Sequence, residues 1–211
     1  FRVVDYKTGN KDFCLDDIYY GIGLQMLIYM YSVEQNGEAF GQNRQSAGVL
    51  YMPARRVSVR TDGDEKNLQK ELAKTLRMKG IVLDDPTVTN AMDPTHCGLY
   101  MPFSFKQDGT LSVSKSLASL EFFGKTRKEI KRLLLEMGTA LTQGQITCNP
   151  LDPSGTGEDA CAYCDYKAVC PNNGDKPHEK IPKLSSATEK ELLRGGDFHE
   201  IQSHRETETS H

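Results

Sequence analysis

Residues 2–9 read RVVDYKTG and residues 24–29 read LQMLIY, and these two short stretches decide the fold. The first is rich in β-branched and aromatic residues and runs into a Thr-Gly-Asn turn signal, which predicts a buried strand. The second lies within residues 19–35, which are apolar on nearly every side, as in a helix packed inside a domain. The chain is therefore expected to open with a strand, a loop and a buried helix.

The predicted strand carries two charged residues near its end. Residues two apart in a strand project to the same face, so Asp5 and Lys7 are expected side by side, with Val4 and Tyr6 on the other face. A carboxylate can hold Mg²⁺, and a neighbouring lysine can stabilise negative charge on a phosphate. The same pattern is also typical of a solvated turn, so the pair alone establishes no function.

The predicted helix brings two polar side chains onto one stripe. Gln25 and Tyr29 are four residues apart, and each needs a hydrogen-bond partner if it is buried. They are compatible with a functional site and equally with an amide and a hydroxyl that are satisfied inside the core.

Further strand and helix signals follow along the chain. Residues 47–59 predict a second strand next to the first, either at a sheet edge or bent at Pro53. Residues 64–79 predict an amphipathic helix with Gly80 as its C-cap. Residues 126–129, TRKE, form a capping box that predicts the start of a long helix ending near Gly144. The pattern indicates an α/β fold.

A group of cysteines occupies the run ACAYCDYKAVC. Its members are Cys161, Cys164 and Cys170. The C-x2-C-x5-C spacing predicts a metal or iron–sulfur site, and it does not exclude zinc. Cys148 lies just upstream as a conceivable fourth thiolate, but like Cys14 and Cys97 it is interpreted as a small buried residue.

A basic cluster lies at the start of the predicted long helix. Its members are Lys125, Arg127, Lys128, Lys131 and Arg132. Such a cluster suits contact with DNA phosphates, and it suits a solvated helix face equally well.

Composition excludes some classes of protein. The chain has 211 residues, 37% hydrophobic content, no Trp and no run long enough to span a bilayer, so no membrane embedding is expected. Clustered cysteines without a secretory signal indicate a reducing compartment, and we expect a cytoplasmic location. A net charge of −3 gives no general attraction to a polyanion, so contact with nucleic acid requires a local basic patch.

The chain is expected to have three parts. Residues 1–145 form the α/β domain, residues 146–173 form the cysteine segment, and residues 174–211, which are poor in apolar residues, form a flexible polar tail. Because the chain begins with Phe1 rather than Met, we expect it to be an internal piece of a longer protein.

The order of these motifs resembles the PD-(D/E)XK nuclease superfamily, in which a D-x-K strand precedes a helix that carries Q-x3-Y in the RecB-like branch. The segments VDYKTG, YYG, LQML and AGVLY, the Asp108-Gly109 hairpin and the cysteine run follow the layout of the nuclease domain of AddB-type helicase–nuclease subunits. The resemblance covers residues 1 to about 173 and implies a restriction-endonuclease-like core, a mixed sheet flanked by helices.

The resemblance also implies roles for individual residues. Asp5 and the backbone carbonyl of Tyr6 match metal ligands, Lys7 matches the catalytic lysine, and Gln25 and Tyr29 match the helix motif that supports the site and touches DNA. The three grouped cysteines match ligands of a 4Fe–4S cluster. In that family a further acidic metal ligand and the fourth cluster cysteine lie upstream, so we expect this chain to be incomplete on its N-terminal side and to lack both.

The function implied by the resemblance is Mg²⁺-dependent DNA exonuclease activity in a bacterial helicase–nuclease that resects double-strand breaks for recombinational repair. The implied partners are DNA and an AddA-type subunit in a heterodimer, and the isolated chain is expected to be inactive. Two alternatives are a non-cleaving module that binds DNA ends or scaffolds a partner subunit, and a RecB-like exonuclease of CRISPR adaptation. The long stretch 47–120 argues against the second of these.

Overall fold

A mixed four-stranded sheet organises the part of the chain that the computed structural model describes, residues 1–42, 44–59, 65–147, 150–152, 161, 164–170, 179–180 and 184–198. Its strands are β1 (Arg2–Lys7), β2 (Gly48–Pro53), β3 (Lys79–Leu83) and β4 (Leu117–Ala118), in that spatial order. β1 and β2 are parallel, β2 and β3 antiparallel, and β3 and β4 parallel. The predicted α/β class is confirmed.

Helices lie between the strands and after them. They are α1 (Leu15–Tyr19), α2 (Gln25–Asn36), α3 (Glu65–Thr75), α4 (Pro86–Met92), α5 (Leu120–Thr142) and α6 (Ser186–Leu193). Two short 3₁₀ turns, Glu38–Phe40 and Lys167–Val169, and a small parallel pair of strands, β5 (Leu151–Asp152) and β6 (Glu179–Lys180), complete the described elements.

The connection from β1 to β2 differs from the prediction in two respects. The helix expected over residues 19–35 begins later, at Gln25, and a separate short helix, α1, ends at Tyr19. Gly21 and Gly23 interrupt the helical backbone between α1 and α2 with positive φ angles of 72° and 67°. The second strand was expected next to the first, either at a sheet edge or bent at Pro53. β2 does lie next to β1, but it is an inner strand between β1 and β3, and it ends at Pro53. β1 is at one edge of the described sheet. The parallel pairing of β1 and β2 is made possible by the helices that connect them.

One face of the sheet packs against α2, α5 and α6. Alternate residues of β2 and β3, including Val49 and Ile81, contact Met30, Phe122 and Leu192 from these helices. All five side chains are almost completely buried. Because Val3 of β1 packs against the same cluster, Asp5, which lies two residues further along β1, is on this helix-covered face.

The opposite face is covered by the chain between α3 and β4. Leu50 and Val82 from the sheet pack there with Met78, Phe103 and Leu117. The predicted hairpin at Asp108-Gly109 lies in this covering segment and is confirmed, because Lys106 N–H donates to the Thr110 carbonyl over 2.7 Å.

A close approach of β2 and β3 fixes the position of Gly80. This residue was expected to cap the preceding helix, but α3 ends at Thr75 and Gly80 lies inside β3 opposite Leu50. Its φ angle is 150°, and a side chain at this position would collide with the Val49 carbonyl oxygen. Glycine is therefore required here by the spacing of two strands rather than by a helix end.

The long helix α5 begins earlier than the capping box indicated. Ser119 is its N-cap, and the Ser119 hydroxyl oxygen accepts from the Phe122 N–H over 3.1 Å. Thr126 is fully buried inside the helix, and its hydroxyl makes no hydrogen bond within the described residues. The predicted start at residue 126 is wrong, because the apolar residues Phe122 and Phe123 draw the preceding turn of helix into the core.

The expected flexible tail is wrong for residues 184–198. Leu184, Leu192, Leu193 and Phe198 are buried in the main core. Backbone hydrogen bonds and a buried carboxylate hold this segment, since Ser119 N–H donates to the Leu193 carbonyl over 2.8 Å. The Leu184 N–H donates to an Asp16 carboxylate oxygen over 2.6 Å. The other residues of the expected tail, apart from Glu179 and Lys180 in β6, lie outside the described residues.

None of the helices in the described part of the chain combines the length and the apolar character that a bilayer-spanning segment requires.

Candidate active site

The carboxyl end of β1 places a carboxylate and an ammonium side by side. Lys7 Nζ lies 2.5 Å from Asp5 Oδ2, and each side chain is about one third exposed, 32% and 33% respectively. The juxtaposition expected from the two-residue period of a strand is therefore present. The hydrogen bond to Asp5 raises the pKa of Lys7, while desolvation opposes the rise, so Lys7 is a protonated cation at neutral pH.

Tyr51 of β2 lies beside the Asp5–Lys7 pair, and the sequence analysis did not select it. It is the register partner of Asp5 in the parallel pair β1–β2, so both side chains lie on the helix-covered face. Lys7 Nζ lies 5.6 Å from the centroid of the Tyr51 ring, within the range of a cation–π contact. Burial raises the pKa of the Tyr51 hydroxyl, so Tyr51 is a neutral phenol.

Helix α2 presents a polar stripe beside the same ammonium. Gln25 Nε2 donates to the Tyr29 hydroxyl over 2.8 Å, and both side chains are exposed. Tyr29 lies close enough to Lys7 to contribute to its raised pKa. Met26 and Met30, on the other side of α2, anchor the helix in the core. Gln25 and Tyr29 therefore hydrogen-bond to each other at the surface of the site rather than within the core.

Helix α1 adds a second carboxyl group near Tyr51. Asp17 is half-buried, and burial raises the pKa of its carboxyl, an effect that the charge of Lys11 opposes. The charges of Asp5 and Asp17 both add to the rise in the pKa of the Tyr51 hydroxyl, after the larger effect of burial. Nothing in the sequence distinguished Asp17 from other acidic residues, because its position depends on how α1 packs against β2.

Comparison with known proteins agrees with this geometry. Residues 1–171 match the sequence profile of the PD-(D/E)XK nuclease superfamily. The chain belongs to this superfamily. The predicted restriction-endonuclease-like core is thereby confirmed, and the mixed sheet with Asp5 and Lys7 at the end of β1 is its sheet.

Among curated proteins the chain is similar to several that are named as the B-type subunit of an ATP-dependent helicase/deoxyribonuclease. It is 31% identical to the one from Thermoanaerobacter sp. (strain X514) over 208 residues, which cover 93% of this chain and 18% of that protein. The Acetivibrio thermocellus protein is 34% identical over 174 residues, with 80% and 15% covered. The Clostridioides difficile (strain 630) protein is 29% identical over 202 residues, with 92% and 17% covered. The chain thus spans less than a fifth of the length of these relatives.

The family resemblance predicts oxygen ligands for a divalent metal at this site, and the described residues do not by themselves complete such a ligand set. Asp5 is a suitable ligand, but no group of three or more His, Cys, Asp or Glu side chains in the described part of the chain is arranged to hold a metal ion. The Tyr6 side chain is 68% exposed and lies on the face opposite Asp5, so only its backbone carbonyl remains a candidate ligand.

The cysteine segment likewise shows no assembled ligand set in its described residues. Cys161 and Cys170 are half-buried and Cys164 is exposed. Cys164 N–H donates weakly to the Cys161 carbonyl over 3.4 Å, and the 3₁₀ turn Lys167–Val169 separates Cys164 from Cys170. The three residues share one short segment, as the spacing requires, but among the described residues they do not form a group that could hold a metal ion. Cys148 lies outside the described residues.

Two cysteines away from this segment were expected to be small buried residues. Cys14 is half-buried, and burial raises the pKa of its thiol. Cys97 is exposed, so its predicted burial is wrong. It follows α4 in a turn where its thiol donates to Asp93 Oδ1 over 3.7 Å, and this turn lies at the surface rather than in the core.

The basic cluster of α5 is largely engaged within the protein. Lys125 donates to the Gly195 carbonyl over 2.6 Å and pairs with Glu121, and Arg127 lies 3.4 Å from Glu34. Arg132 pairs with Glu129 and Glu136, which raises the pKa of its guanidinium. Lys128 and Lys131 are exposed and make no ion pair with a described residue. The cluster's predicted role in DNA contact stays a prediction.

Proposed function

We propose that this chain is part of a Mg²⁺-dependent DNA exonuclease domain in the B-type subunit of a bacterial helicase–nuclease that resects double-strand breaks. One observation carries the proposal: in a member of a nuclease superfamily, Asp5 and Lys7 lie in contact at the end of an edge strand, beside the Gln25–Tyr29 stripe. The names of the similar proteins, which describe one component of a helicase/deoxyribonuclease, support the same assignment.

In this proposal each described residue has a defined task. Lys7 keeps its proton and places positive charge where negative charge develops on the phosphate oxygens during hydrolysis. Asp5 orients the ammonium and offers one carboxylate toward the metal, and the Tyr51 ring fixes the ammonium from the side. Gln25 and Tyr29 form a polar edge that contacts the DNA and supports the site. Since the described residues do not complete a magnesium site, we expect the isolated chain to be inactive.

We also assign a structural role to the cysteine segment. Cys161, Cys164 and Cys170 are proposed as three ligands of a 4Fe–4S cluster whose fourth ligand lies outside this chain, with zinc as the alternative ion. The segment lies between α5 and α6, and both helices are anchored in the core. A cluster there would close the segment onto the fold without contributing to hydrolysis. The proposed partners are DNA and an AddA-type subunit, and the proposed location is the cytoplasm.

The test is Asp5→Ala in the complete parent protein. We expect this change to abolish DNA cleavage while DNA binding, measured by fluorescence anisotropy, is retained. Asp84→Ala is the matched control. Asp84 is an exposed carboxylate just beyond the end of β3, and because β3 runs antiparallel to β2, it lies at the opposite end of the sheet from Asp5. Cleavage that survives Asp5→Ala at the level of the control would defeat the assignment.

The alternative is a module that binds DNA ends or a partner subunit without cutting. It is favoured by the incomplete set of metal-ligating side chains in the described residues. A parent protein that binds DNA but shows no cleavage that depends on Asp5 or on Mg²⁺ would establish this alternative.

A further inference from the structure

The loops beside Lys7 concentrate positive charge in a chain whose net charge is −3. A shallow depression at the carboxyl ends of β1 and β2 is lined by four cations. They are Lys7, Lys11, Arg55 and Lys79. Because the net charge of the chain does not attract a polyanion, any electrostatic contact with DNA must come from a local group of cations such as this one.

Two of the four cations already have acidic partners. Lys7 pairs with Asp5, and Lys79 Nζ lies 2.5 Å from Asp12 Oδ1. Lys11 and Arg55 are exposed and form no ion pair within the described residues. The charge of Lys11 opposes the rise in the pKa of the half-buried Asp17 carboxyl, but the two do not form an ion pair. The charge that remains available at this edge therefore belongs mainly to Lys11 and Arg55.

The loops that carry these two residues are attached to the sheet. Ala54 N–H donates to the Lys7 carbonyl over 2.9 Å, which fixes the backbone next to Arg55 against the end of β1. Lys79 Nζ donates to Asn10 Oδ1 over 2.9 Å, which links the side chain of the residue before Lys11 to β3. Both cations therefore flank the Asp5–Lys7 pair in loops that hydrogen-bond to the sheet, the Arg55 loop through its backbone and the Lys11 loop through the Asn10 side chain.

We propose that Lys11 and Arg55 form a binding site for backbone phosphates of the DNA on the flank of the Asp5–Lys7 pair. This inference rests on the proposed function and adds the residues that hold the substrate. Phosphate contacts fix the register and orientation of a nucleic acid without reading its sequence, which suits an enzyme that acts along a strand. Lys11 and Arg55, which we call the rim, are assigned this task rather than the basic cluster of α5, because three of the five cations in that cluster have partners within the fold.

The test compares two double variants that change the net charge equally. Lys11→Glu with Arg55→Glu alters the rim, and Lys128→Glu with Lys131→Glu alters the two exposed, unpaired cations of α5 in the described part of the chain. Binding of a short fluorescein-labelled DNA duplex to the full chain is measured by anisotropy over a range of salt concentrations. The rim variant is expected to bind roughly tenfold or more weakly, with a salt slope reduced by about two, since each lost phosphate contact removes about 0.9.

Urea unfolding midpoints establish that both variants are folded. If charge reversal prevents folding, the double variant Lys11→Gln with Arg55→Gln is compared with the double variant Lys128→Gln with Lys131→Gln. The single variant Arg55→Lys keeps the positive charge and should retain most of the binding.

Three results would overturn the inference: equal weakening in the rim and α5 variants, full binding by the rim variant, or no binding by the wild-type chain. Cleavage by the parent protein tests the proposed function separately. Cleavage that depends on Asp5 but is indifferent to both rim substitutions would remove the phosphate site and leave the nuclease assignment standing.

Discussion

The end of the sheet that carries Asp5 and Lys7 differs from the cysteine segment in how its side chains are held. At the sheet end, the spacing within β1 and the register between β1 and β2 bring Asp5, Lys7 and Tyr51 together. In the cysteine segment, Cys161, Cys164 and Cys170 share a short stretch but are not gathered as a ligand set. One region is positioned by backbone pairing within a four-stranded sheet and by a packed core, whereas the described residues around the three cysteines have a turn and a short 3₁₀ helix.

The difference follows from what each region can use to hold its groups. A strand in a sheet fixes the direction of every side chain, so neighbouring functional groups are arranged before any ligand arrives. Thiols in a loop gain their geometry from the ion that they bind, because metal binding and ordering of the ligands are coupled. The sheet end is therefore expected to respond to changes in the core, and the cysteine segment to the presence of a metal.

The largest effect is expected on the free energy of unfolding, when a buried residue of α6, the C-terminal helix of the core, is shortened. Leu192 of α6 is 1% exposed and packs in the same cluster as Val49 and Phe122. Leu192→Ala should reduce the free energy of unfolding by about 2–5 kcal/mol, because it removes buried methyl groups and leaves a cavity. Urea denaturation followed by circular dichroism gives the measurement.

Lys190→Ala is the control for this change, since Lys190 lies on the same helix and is exposed. It should alter the free energy of unfolding by no more than about 0.5 kcal/mol. Equal stability of the two variants would mean that α6 is not part of the core and that residues 184–198 behave as the tail expected from the sequence.

The sequence predicted the parts of the fold and site that depend on short-range periodicity. Asp5 and Lys7 share a face because the strand period is two, and Gln25 and Tyr29 share a stripe because they are four apart on a helix. The neighbourhood of Tyr51 depends on the register of β1 with β2, which are separated by two helices, so no local pattern could select it.

Other features were missed because a distant contact decided between competing local signals. Ser119 and residues 126–129 both suit a helix start, and the burial of Phe122 favours the former. Gly80 suits a helix end, but the approach of β2 makes it a strand residue. Helix α6 lies in a polar stretch, and its burial relies on partners far away in the sequence, Asp16 and Ser119.

An intermediate effect, limited to one segment, is expected when the cysteines are changed. After anaerobic reconstitution of the chain, or of its parent, with iron and sulfide, wild type should bind iron and absorb visible light. Cys164→Ser should lose most of both, whereas Cys97→Ser, a change of another exposed cysteine, should lose neither. Without metal, the two variants should have the same free energy of unfolding within about 0.5 kcal/mol.

The metal content also distinguishes the two candidate ions. A colourless protein that binds zinc through Cys164 would replace the iron–sulfur cluster with a zinc site. If Cys164→Ser binds as much iron as wild type does, Cys164 is not a cluster ligand. Metal binding would then not explain why the cysteines lack a fixed arrangement while the groups at the sheet end have one.

The smallest effect is a change in the pKa of a single side chain at the sheet end, Lys7. The hydrogen bond from Lys7 to Asp5 is the main cause of the raised pKa, so Asp5→Asn should lower the pKa of Lys7 in a titration followed by NMR of the lysine side chains. Because the folded-state pKa is raised, the pair stabilises the fold fully below the ordinary lysine pKa of 10.5, and this contribution is lost as the pH rises through the raised value. Asp12→Asn, which removes the partner of Lys79 instead, should leave the Lys7 titration unchanged. An identical Lys7 titration in wild type and Asp5→Asn would show that the pair does not persist in solution, and the sheet end would then resemble the cysteine segment in needing a ligand to assemble.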